Sequence, residues 1–114
     1  MTRVYHFDYF PCLHLGDIGQ LRRRLEQLDS IEYESGLCAS SSLEIEERLQ
    51  EADVFLVHSW GDCKSRVLQE YAQKFPDVRI GILYGQQKEL EESRGVTWLK
   101  YSDTEGIVKF ILGP

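Results

Sequence analysis

The sequence predicts an α/β domain, a five-stranded parallel sheet covered by helices on both faces and built as (βα)5. Three observations predict it. Short apolar runs alternate with stretches of helical spacing along the whole chain. Val54-Phe55-Leu56-Val57 is apolar without a break, as a strand covered on both faces must be. Helical crossovers between successive strands leave little but right-handed βαβ units, which place the strands parallel.

Val4-Tyr5-His6-Phe7 reads as a buried strand that stops at Asp8 and the turn residue Pro11. Ile18, Leu21, Leu25 and Leu28 recur at helical spacing, so an amphipathic helix begins near Asp17. Ile31-Glu32-Tyr33 is a brief, edge-like strand. Ser41 followed by Glu44 forms a capping box that opens a second helix through Leu49. After the central strand at 54–57, Val67, Leu68, Tyr71, Ala72 and Phe75 define a third helix, stopped by Pro76. Val78 to Leu83 is the fourth strand. Gln86 to Arg94 is a short helix anchored by Leu90 and closed by Gly95 as a C-cap. Val96 to Leu99 is the last strand. Ser102 and Glu105 make a second capping box, opening a helix that buries Ile107, Val108, Ile111 and Leu112.

With 114 residues the chain is read as one domain, 1–114, without repeats, linkers or low-complexity tracts. Its 42% hydrophobic and 28% charged residues are ordinary globular values, which exclude a disordered or coiled-coil chain. The 19 acidic residues outnumber 13 basic ones, and the net charge of −6 argues against nucleic acid as a partner. Arg22-Arg23-Arg24 lies within a helical pattern and reads as a solvated face. No run approaches the ~20 apolar residues of a membrane span, so no membrane partner is expected. The odd number of cysteines, 3, with no Cys-x-x-Cys pair, suits a reducing, cytoplasmic setting.

In parallel α/β folds ligand chemistry gathers at the carboxyl ends of the strands. Here those ends carry Asp8, Tyr9 and Cys12, then Cys38, then His58 and Asp62, then Tyr84, then Lys100. A lone acid such as Asp8 is too little for a hard cation, which needs several oxygen ligands. Lys100 has the charge to hold an anion, or it is a surface lysine whose stem lies on apolar neighbours.

The order and spacing of several stretches resemble a response-regulator receiver domain across nearly the whole chain. Asp8-Tyr9-Phe10-Pro11 resembles that family's acidic loop, Ala52 to Val57 its third strand, and Lys74 to Leu83 its third helix and fourth strand. Thr97-Trp98-Leu99-Lys100 resembles its fifth strand, which ends in the family's hallmark lysine. The resemblance implies a flavodoxin-like sheet in the order 2-1-3-4-5. It also implies departures: the phosphoacceptor position falls on His58, the second magnesium-holding acid on Tyr9, and the phosphoryl-contacting hydroxyl on Tyr84. The aromatic switch position falls on Thr97, and Tyr101 stands where a proline often follows the lysine. Without two or more carboxylates, magnesium is held too weakly to neutralise a transferring phosphoryl group. The chain thus resembles a degenerate pseudo-receiver, with Asp8, Tyr9, His58, Tyr84 and Lys100 as a disabled phosphoacceptor pocket.

The resemblance implies a non-enzymatic signalling or adaptor module of the two-component type, free of cofactors, acting through protein–protein contacts. Its expected interface is the face made by the short helix at 86–94, the last strand and the last helix. Trp98, Tyr101 and Phe110 are its candidate residues, for a protein partner or a second copy of the chain. Tyr84 is expected to lean toward His58 and fill the space of the phosphoryl group.

An enzymatic alternative rests on a distant resemblance to nucleoside deoxyribosyltransferase-like proteins. Ala52-Asp53-Val54 through Trp60-Gly61-Asp62 carries it, with Glu70-Tyr71-Ala72 on the next helix. Val54 to Trp60 also resembles the opening box of Toll/interleukin-receptor domains, though it lies mid-chain here. Cys12, His14, Cys38, His58 and Cys63 fall on neighbouring loops and strand ends. They are read as small gap-fillers, as a structural zinc site, or as a thiol sensor.

Overall fold

A computed structural model describes residues 2–7, 16–37, 42–58, 65–85 and 95–113, with the backbone alone at 16–18, 35–37, 42–43, 58 and 65–67. Five strands form one parallel sheet in the order β2-β1-β3-β4-β5. They are β1 (Thr2–Phe7), β2 (Ile31–Leu37), β3 (Val54–His58), β4 (Arg79–Tyr84) and β5 (Val96–Lys100). The described helices are α1 (Gly16–Glu26), α2 (Ser42–Glu51), α3 (Ser65–Lys74) and α4 (Thr104–Leu112). The expected helix at 86–94 lies outside the described residues. Gly95, expected to close it, has a φ of 75°, and a Cβ there would come 2.9 Å from Ala72 Cβ. Glycine is thus needed at 95 for both conformation and space.

Strand alternation divides the core in two. On one face Tyr5, Phe7, Phe55, Val57, Ile80 and Ile82 pack with Leu49 of α2 and with Leu68 and Tyr71 of α3. On the other, Val4, Ile31, Val54, Leu56 and Leu83 pack with Leu21 and Leu25 of α1 and Ile107, Val108 and Ile111 of α4. Both faces are covered, which is why the central strand is apolar from Val54 to Val57.

Two boundary differences have a physical reason in the packing. β2 runs for seven residues instead of three, because it pairs with β1 as far as Phe7 and Leu37. A register shift between Tyr5 and Phe7 absorbs an extra residue around Ser35-Gly36, so pairing prevails over weak strand propensity. The last helix is capped by Asp103, whose Oδ1 accepts the Gly106 N–H at 3.1 Å. Ser102 is not its cap, since the helix begins at Thr104 and the cap is the residue before it. Glu105, freed from the expected box, instead meets Arg24 of α1 at 3.3 Å.

Leu112 is exposed at 48%, against the expectation that it is buried. At 3.6 residues per turn it lies about 90° from the centre of the Ile107/Val108/Ile111 stripe. Phe110 flanks the opposite side of that stripe and is half-buried against the core. The difference is a matter of what each flank meets.

Candidate functional site

Three of the expected pocket residues end successive strands. His58 closes β3, Tyr84 closes β4 and Lys100 closes β5. Lys100 is in register with Tyr84, whereas His58 is in register with Leu83, one position earlier. The Tyr84 ring meets the Trp98 ring edge-on, with centroids 6.2 Å apart. That contact holds the phenol against β5. The His58 side chain, and with it the expected contact to Tyr84, lies outside the described residues. So do Asp8, Tyr9, Cys12, His14, Cys38, Asp62 and Cys63. Among the described residues no group of three or more His, Cys, Asp or Glu could hold a metal ion.

Lys100 is exposed and Tyr84 is half-buried. One cation and one phenol are donors suited to an anion, while a phosphoacceptor is a carboxylate. Just beyond them Tyr101 N–H donates to Tyr84 O at 3.0 Å, and the Tyr101 ring lies over Gly85. A Cβ at Gly85 would stand 2.5 Å from the Tyr101 hydroxyl and 2.6 Å from its Cε1, so only glycine fits beneath that ring.

The three candidate interface aromatics are each seated in the molecule, and on different faces. Trp98 packs against the core shared with α2 and α3. Its Nε1 is buried without a hydrogen-bond partner. Tyr101 and Phe110 pack against the core shared with α1 and α4. They meet only around the β5 margin of the sheet and form no single flat patch.

Among the described residues those of the enzymatic alternative are not gathered, and Trp60, Gly61 and Asp62 lie outside the described residues. Asp53 stands at the amino end of β3, where its Oδ2 accepts the Arg3 N–H at 2.8 Å. Glu70 is exposed on α3, and Tyr71 is buried in the core. Of the arginine run, Arg22 pairs with Glu26 at 3.0 Å and Arg24 with Glu105 at 3.3 Å, as a solvated helix face does.

Two polar constellations were not legible in the residue order. His6 is fully buried, and its Nδ1 shares a 2.6 Å hydrogen bond with the Tyr33 hydroxyl. Both stand at alternate positions of neighbouring strands, a signal visible only once the strands are known to pair. The second lies along β2. Arg3 pairs with Glu32 at 2.9 Å and reaches Glu51 at 3.7 Å, while Arg48 pairs with Glu34 at 3.3 Å. The Tyr5 hydroxyl donates to Glu51 at 3.1 Å, and the Arg48 guanidinium sits 5.3 Å from the Tyr5 ring centroid. The Glu32 hydrogen bond and charge raise the Arg3 pKa; Tyr5 and then Glu34 raise that of Arg48. Both arginines stay charged throughout the neutral range.

No family model matches the sequence, and no curated protein matches it. Among solved structures, a candidate lipoprotein fragment from Peptoclostridium difficile 630 superposes with a TM-score of 0.62 at 13% identity. The match covers 98% of this chain and 97% of that one. At that identity the likeness is one of fold.

Proposed function

We propose that the domain is a receiver-like module that binds other proteins and takes no phosphoryl group. The observation that carries this reading is the set of strand ends His58, Tyr84 and Lys100 at the carboxyl edge of a 2-1-3-4-5 sheet. Acyl-phosphate chemistry needs a carboxylate at the end of the central strand and a magnesium ion held beside it. An imidazole there supplies neither the acceptor oxygen nor a hard ligand. The Tyr84 ring, held edge-on by Trp98, is far bulkier than the small hydroxyl side chain that phosphoryl transfer calls for at that strand end. The contact surface under this reading is the β5 margin, where Trp98 approaches from one face and Tyr101 and Phe110 from the other.

The test is incubation of the purified protein with acetyl phosphate and magnesium, read by intact mass, beside a nucleoside incubation read by chromatography. Unmodified protein and unchanged nucleosides are expected. A gain of one phosphoryl group, lost on substitution of His58, Asp8 or Asp62, overturns the reading, as does release of free base. Capture from the native lysate supplies the positive arm. A protein retained by wild type and lost with a folded Trp98→Ala variant supports the reading; retention by both overturns the β5 surface.

A further inference from the structure

We draw no further inference here: the strongest candidate, the open depression at the amino ends of the strands lined by Thr2, Ser30, Asp53, Asp77 and Arg79, has its Asp53 engaged by the Arg3 N–H and its Arg79 by the last carbonyls of α4, and nothing in the structure shows what covers it.

Discussion

Phe110 closes onto Gly81: a Cβ at Gly81 would stand 3.0 Å from Phe110 Cε1 and 2.8 Å from Leu99 Cδ1. Leu56 Cδ2 would follow at 3.1 Å. The missing side chain in the middle of β4 lets α4 settle on the sheet and gives the Phe110 flank its cover. Gly81→Ala overpacks this site and should cost about 1–3 kcal/mol in chemical denaturation. Combining it with Phe110→Leu should cost less than the two changes added, because they share one space. Full additivity would show that the ring does not rest there.

Arg79 ties β4 to the end of α4. Its guanidinium donates to Phe110 O at 2.6 Å and to Ile111 O at 2.5 Å, and lies 5.9 Å from the Phe110 ring centroid. These carbonyls belong to the last turn, which has no helical donors left for it. Arg79→Met should destabilise by about 1.5–3 kcal/mol, the range for hydrogen bonds to a charged group. Arg79→Lys should recover little of that, since an ammonium cannot span two carbonyls as a planar fork does. Thermal melts of the two variants decide it, and a lysine variant equal to wild type would contradict the fork geometry.

Asp103 and Ser102 offer a clean contrast. Asp103→Ala removes the carboxylate that accepts the Gly106 N–H and should cost about 0.5–2 kcal/mol. Ser102→Ala should stay within about 0.5 kcal/mol, as an exposed change away from any cap does. The reverse ranking in urea denaturation would restore the Ser102 capping box.

Trp98 carries a buried indole donor without an acceptor. An unsatisfied buried donor costs about 1–3 kcal/mol, so Trp98→Phe offsets lost area by removing that penalty. The Phe variant should melt within a few degrees of wild type. Tyr84→Ala should lower stability by about 0.5–1.5 kcal/mol through the edge-on ring contact, beyond its lost area. A large loss for Trp98→Phe would mean that the indole N–H is satisfied in solution.

Residue order alone determined the elements that rest on local period. The unbroken apolar run at 54–57 and the spacing of Leu21 and Leu25 each carry their cause within a few neighbouring residues. The expected alternation of five strands with helices followed from these, and the observed parallel sheet in the order 2-1-3-4-5 agrees with it. His58, Tyr84 and Lys100 were recognisable as strand ends for the same reason.

The tertiary structure alone decided what depends on partners distant in the chain. β2 is seven residues long because β1 offers hydrogen bonds that far, and no propensity of Ser35 or Gly36 announces it. Leu112 and Phe110 are both apolar flanks of one helical stripe, yet only Phe110 finds Gly81 and Leu99 beside it. The interface aromatics looked like one cluster in sequence, but strand alternation sends Trp98 and Tyr101 to opposite faces. Arg79 reads as an interruption of an apolar strand until it meets carbonyls 31 and 32 positions away. Local period is a property of neighbours along the chain, whereas burial and capping by a remote side chain arise only when the elements are assembled.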